Sequence, residues 1–134
     1  MAEHNNLGSE GELEAARYLQ TKGYDILETN WRYKRLEIDI IAYKSGLLVV
    51  VEVKTRATNR FGYPESFVTP QKMRHLITAT DEYIRLTNKE DIGVRFDIIA
   101  LTKNSTKFEV EHIEDAFNSI HAFGVSPSYG SPLL

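Results

Sequence analysis

The stretch from Glu37 to Arg56, EIDIIAYKSGLLVVVEVKTR, sets two aliphatic runs on either side of a short polar turn. Bounded in this way, the runs read as two antiparallel strands, Leu36 to Tyr43 and Leu47 to Lys54, reversing at Lys44-Ser45-Gly46. Four charged residues, Glu37, Asp39, Glu52 and Lys54, sit inside them. Such side chains are almost never fully buried unless paired or bound to an ion, because removing each from water costs several kcal/mol. The charges therefore either leave the core at the strand ends or converge on something.

Side chains alternate along a strand, so Glu52 and Lys54 share one face of theirs, and Glu37 and Asp39 one face of the other. If paired residue numbers add to an odd sum, as with 39 opposite 50 or 39 opposite 52, Asp39 stands beside Glu52. An even sum separates them, and both registers remain open. In the odd registers the two positions lie roughly 5 to 8 Å apart, within reach of a shared cation. Adjacent carboxylates repel unless a proton or a metal ion relieves them. Oxygen-only ligands with retained water suit Mg²⁺ or Mn²⁺ rather than zinc, and the carbonyl of Val53 adds a further ligand at the strand edge. Lys54, on the carboxylate face, is placed to position or help deprotonate a water, or to neutralise charge on a phosphate. Together the set reads as metal-assisted phosphodiester hydrolysis. The plainer alternative is a cross-strand ion pair at a strand end.

Outward from this hairpin, the spacing predicts a first helix over 9–22, with Ser9 as N-cap, Glu12 as the acid of a capping box and Gly23 as terminator. A strand follows over 24–33. Thr58 to Phe67 reads as a polar loop, and Thr69-Pro70 opens a long helix ending near Asn88. Strands are expected at 94–101 and 107–113, a short helix at 114–119, and a flexible tail at 124–134 after a single domain spanning 1–123. A strand, long helix and strand in succession favour a parallel pair, giving an α/β fold with a mixed central sheet flanked by helices and the order αβββαβ.

The chain has 134 residues, 42% of them hydrophobic, and fits one domain with a sizeable core. It contains no cysteine, which excludes disulfides and thiolate metal sites and permits a reducing cytoplasm. No secretory pattern or membrane-length apolar run is present, so a cytoplasmic protein with no membrane partner is expected. Net charge is -3, against a polybasic coat, yet Trp31 to His75 holds nine Lys and Arg against four Asp and Glu. A positive patch around the acidic hairpin would steer an anion to one face; a solvated mixed surface is the alternative. Arg32, Lys34, Arg35, Arg56, Arg60 and Arg74 are candidates for phosphate contact, joined by Gln71 and Lys72 at the start of the long helix. Trp31, Tyr33 and Tyr63 read first as packing residues. The four histidines show no metal-ligand spacing.

Gly11-Glu12 with Ala15-Ala16-Arg17-Tyr18-Leu19, then Gly23-Tyr24-Asp25-Ile26-Leu27, Asn30-Trp31-Arg32, Glu37 to Ala42 and Val51 to Arg56 together resemble the YraN family of bacterial proteins. Gly62, Pro64, Val68, Lys72, Arg95-Phe96-Asp97 and Ala116-Phe117 extend the likeness from Leu7 to Phe117. That family is similar to the PD-(D/E)XK restriction-endonuclease-like superfamily, notably archaeal Holliday-junction resolvases. The resemblance implies an αβββαβ core in which Asp39 is the first acid of the motif, Glu52 the second and Lys54 the lysine. It makes Glu12 an accessory acid reaching the metal through water, which competes with the capping-box reading of the same residue. It further implies DNA, branched or otherwise structured, as substrate, and a homodimer. Two departures stand out: Ile38 occupies the position that the superfamily name gives to proline, and Leu36 replaces the glycine usual before Glu-Ile-Asp. A non-catalytic nucleic-acid-binding or protein-interaction module on the same fold is the competing reading. Glu37 is expected to pair with Arg35 or Arg56.

Overall fold

The computed structural model describes residues 6–57 and 68–124, so Arg60, Tyr63, the rest of the expected loop and the tail after Gly124 lie outside the described residues. The elements run α1 (Asn6–Thr21), β1 (Asp25–Tyr33), β2 (Leu36–Lys44), β3 (Leu47–Arg56), α2 (Pro70–Thr87), β4 (Gly93–Asn104), β5 (Lys107–Phe117) and α3 (Ser119–Phe123). The sheet has the order β1-β2-β3-β4-β5. Neighbours are antiparallel except β3 and β4, which are parallel and joined through α2. This is the mixed α/β architecture expected from the element pattern.

The β2–β3 reversal is a two-residue turn between Lys44 and Leu47, with Ser45 and Gly46 at φ 54° and 84°. Positive φ at both central positions is what a tight hairpin turn matching the twist of its strands requires. Helix α2 is delimited by local chemistry: the Thr69 side chain accepts from the Lys72 amide at 3.2 Å, Pro70 opens the first turn, and Asn88 closes the last at φ 57°. Proline costs nothing at a position whose N–H has no helical partner, and asparagine tolerates the left-handed cap.

Both faces of the sheet are covered. On one, Ile41, Leu48, Val50 and Ile98 pack with Leu76, Ile77 and Tyr83 of α2 and with Phe117 and Ala122. On the other, Ile40, Val49, Val51, Val53 and Ile99 pack with Ala15 and Leu19 of α1. Buried on both faces, the middle of β3 is a continuous aliphatic run rather than an alternating one, as central strands are.

Two expected boundaries are corrected. Helix α1 is already formed at Asn6, so Ser9 lies inside it and is not its N-cap; the capping box with Glu12 does not exist. Where a helix was expected at 114–119, residues 114–117 are strand instead and helix begins only at Ser119. β5 continues through a bulge at Asp115, φ 53°, whose amide donates to the Asp97 carboxylate at 3.0 Å, and pairing with β4 resumes at Phe96 and Phe117. α3 then begins after Asn118, whose side chain accepts from the Ile120 amide at 2.9 Å.

Candidate active site

The β2–β3 ladder ends at Ile40 opposite Val51, although β2 stays paired with β1 back to Leu36 and β3 with β4 on to Arg56. The two central strands therefore part company at this point. Continuing their register sets Asp39 opposite Glu52, so the observed sum is one of the odd values that bring the acids together. In the fork, the Val53 amide donates to Asp39 Oδ2 at 2.8 Å, the side chain standing in for the missing strand partner.

Glu52 is buried, 5% exposed, and its Oε1 has no hydrogen-bond partner. Its other oxygen lies 3.7 Å from Lys72 Nζ, at the start of α2. Burial and the adjacent Asp39 carboxylate push Glu52 up to about 7, with Lys72 and Lys54 pulling the other way. Asp39 is also raised, by burial first, while the Val53 amide and Lys72 oppose the shift. The neighbouring Asp39 carboxylate thus favours a proton on Glu52 in the free protein. A buried acid pair that nearby lysines relieve only in part is electrostatically a candidate cation site.

Glu12 approaches from α1. Gly11 beside it lies against β3 so closely that a Cβ there would fall 1.9 Å from Thr55 Oγ1. Only glycine allows this approach. The Glu12 carboxylate accepts from Asn30 Nδ2 at 3.3 Å, and is raised by burial, then by Asp39 and Glu37. It feels Asp39 without joining the acid pair: among the described residues no group of three or more His, Asp or Glu side chains stands close enough to hold a metal ion. The donor set at the fork is thus two carboxylates with one unpartnered buried oxygen, plus backbone, which fits an ion that keeps several waters, such as Mg²⁺ or Mn²⁺.

Lys54 is exposed at the end of β3, one alternation beyond Glu52. The other basic candidates divide. Lys34 and Arg35 form the β1–β2 turn, with Lys34 5.3 Å over the Tyr33 ring. Arg56 ends β3, its Nε 3.5 Å from Thr102 Oγ1. Gln71 and Lys72 sit in the first turn of α2. Because β2 starts, β3 ends and α2 starts at one end of the sheet, the topology gathers these residues around the fork. Arg74 is directed elsewhere, donating to the Ala122 carbonyl at 3.1 Å. Glu37, expected to pair with Arg35 or Arg56, has Arg32 as its ion-pair partner among the described residues. The β1–β2 register sets it opposite Arg32, whose Nη2 lies 3.6 Å from its carboxylate. Trp31 packs, edge to face with Tyr83 at 5.2 Å, as its type suggested. Asn30 is the site neighbour that the motif reading missed; its one sequence signal is that asparagine tolerates positive φ, here 53° within a strand.

A family model described as "Uncharacterised protein family UPF0102" matches residues 11–101, from the glycine that seats α1 to the end of the parallel strand pair's core. The chain belongs to the UPF0102 family. A UPF0102 protein of Flavobacterium psychrophilum is 53% identical over 117 residues, covering 87% of this chain and 98% of the relative. One from Flavobacterium johnsoniae is 53% identical over 120 residues, with the same shares covered. A third, from Bacteroides thetaiotaomicron, is 44% identical over 117 residues, covering 87% and 96%. The UPF0102 match contains the fork acids, Glu12, Lys54 and Lys72.

Proposed function

We propose that this UPF0102 protein is an endonuclease that hydrolyses DNA phosphodiester bonds, acts on branched or otherwise structured DNA in the cytoplasm, and needs Mg²⁺ or Mn²⁺. The observation that carries the reading is the fork itself: Asp39 and Glu52 meet where two central strands separate, with Glu52 Oε1 buried and unpartnered. An isolated structural ion pair would have satisfied that oxygen. The resemblance to PD-(D/E)XK enzymes adds weight, because it selects the same two acids and Lys54.

Asp39, Glu52 and the Val53 carbonyl would hold the ion, with Glu12 reaching it through water. When bound, such an ion acidifies water and stabilises charge on a phosphoryl oxygen. Val53 keeps Asp39 in the fork by its amide bond, and burial strips competing water from Glu52. Lys54, exposed beside the acids, donates hydrogen bonds to the attacking water or to the phosphate oxygens as their charge grows. Lys72 neutralises Glu52 in the free protein and is close enough to turn to the phosphate once that charge is otherwise met. Lys34, Arg35 and Arg56 supply sequence-independent contacts along the backbone of the nucleic acid. Cutting both strands of a branched substrate would call for a homodimer.

The test is cleavage of branched and duplex DNA by purified protein with Mg²⁺ or Mn²⁺. Asp39→Ala and Glu52→Gln are expected to lower the rate by more than about 10²-fold while leaving the protein folded. Undiminished cutting by both variants would refute the assignment. Salt-sensitive DNA binding that survives both substitutions, with no cleavage under either metal, would instead mark a binding module.

A further inference from the structure

Asn30 has φ 53° in the middle of β1, between Thr29, opposite Ile40, and Trp31, opposite Ile38. It therefore faces Asp39 across the β1–β2 ladder. The strict alternation of side chains fails at the same level: Ile40 belongs to the core under α1, whereas Ile38 packs in the core under α2. Left-handed backbone is a conformation that asparagine accepts and most residues avoid. Here it coincides with a side-chain contact, Asn30 Nδ2 donating to Glu12 Oε1 at 3.3 Å, and both residues line a cavity of about 250 Å³ between α1 and β1, floored by Ala16 and Ile40.

We propose that Asn30 is a positioning residue for Glu12: the left-handed turn of β1 presents its amide to the carboxylate and holds that carboxylate facing the Asp39–Glu52 fork. The proposal rests on the metal-dependent reading above and assigns a residue to it that the acidic motif does not contain. A single long hydrogen bond at an exposed asparagine does little for stability. Its value is in orientation, as with the outer partners that fix the ligands of metal sites.

Two measurements on the full chain without substrate test this. In the first, Mn²⁺ binding is followed by calorimetry. Asn30→Gly keeps the backbone conformation and removes the amide, and should weaken binding about tenfold. Glu12→Gln should weaken it at least as much, and the double variant no further than Glu12→Gln alone, because Asn30 acts through Glu12. In the second, on metal-free protein, the Asn30 side-chain amide resonances should shift when Glu12 becomes glutamine. Wild-type affinity in Asn30→Gly alongside weakened Glu12→Gln overturns the proposal, as does an amide unmoved by Glu12→Gln; either leaves the endonuclease reading standing. Absence of Mn²⁺ binding by the wild type, with the amide shift present, overturns the metal-dependent reading and Asn30's part in it together.

Discussion

Asp97 on β4 and Glu52 on β3 are buried acids on neighbouring strands, and their surroundings differ in one respect, the supply of donors. Asp97, with no exposed surface, accepts from Arg95 Nε at 2.8 Å, Arg95 Nη2 at 2.7 Å, the Asp115 amide at 3.0 Å and His112 Nε2 at 2.7 Å. Burial pushes its pKa up, but His112, Arg95 and the Asp115 amide outweigh burial and hold it below the ordinary carboxylate range. Glu52 has one oxygen facing Lys72 at 3.7 Å and one buried without a hydrogen-bond donor, and burial with the Asp39 charge drives it up to about 7. Desolvation is common to both. What separates them is whether the fold has answered it, and the unanswered carboxyl is the one that the proposed metal site would use.

The comparison breaks most visibly at Asp97. Asp97→Ala leaves Arg95 and two other donors, His112 and the Asp115 amide, facing a void, and removing one member of a buried charged pair costs about 3 to 5 kcal/mol. Urea denaturation at pH 7 should show a loss of that size. The pH dependence has a definite sign: a depressed acid contributes stability above its unfolded pKa, so this contribution fades only as pH falls below about 4. A loss under about 1 kcal/mol in Asp97→Ala would mean that the network is decorative and the contrast with Glu52 empty.

Glu52 should behave oppositely. Its folded pKa lies above the unfolded value of 4.5, so the protonated form favours folding, and stability is lost as pH rises from 4.5 through about 7. At pH 8 the metal-free protein carries a penalty on the order of 3 kcal/mol. Glu52→Gln keeps the shape, replaces the carboxyl by an amide that donates to Asp39, and removes the penalty. The variant should be the more stable protein at pH 8 and nearly equal to wild type at pH 5, measured by denaturation in chelator. If Glu52→Gln is less stable at both pH values, the carboxylate is structural and the site resembles Asp97 after all.

How much of this was legible depends on the range of the interactions involved. The hairpin was readable because a short polar turn separates two aliphatic runs, but the register that joins Asp39 to Glu52 was not: it is set by Ser45-Gly46 closing the turn within two residues, where the sequence left the pairing open. Thr69-Pro70 and Asn88 bounded α2 for the same local reason. The misread segments answer to distant partners. Residues 114–117 stay in the sheet because Asp97, eighteen positions earlier, holds the Asp115 bulge. Glu37 follows Arg32 because of strand pairing, and Glu12 follows Asn30 rather than a cap, because α1 began before Ser9. That Glu52 Oε1 lacks a partner is a property of packing that no motif encodes.

The smallest effect tests where the strength of the Asp97 cluster resides. A carboxylate only accepts, so His112 Nε2 carries the hydrogen toward Asp97, and in the neutral ring Nδ1 is left to accept from the Tyr18 hydroxyl at 3.1 Å. Tyr18→Phe deletes that outer bond and nothing else; the edge-on contact with the His112 ring, at 5.5 Å, remains. Tyr18 is partly exposed, so water can replace its hydroxyl at Nδ1, and the loss should be near 0.5 kcal/mol, the low end for a neutral hydrogen bond. A loss approaching that of Asp97→Ala would show that the cluster acts as one cooperative unit from α1 to β5. Its resistance to burial would then come from the chain of bonds rather than from the charge at its centre, and donor count alone would no longer separate Asp97 from Glu52.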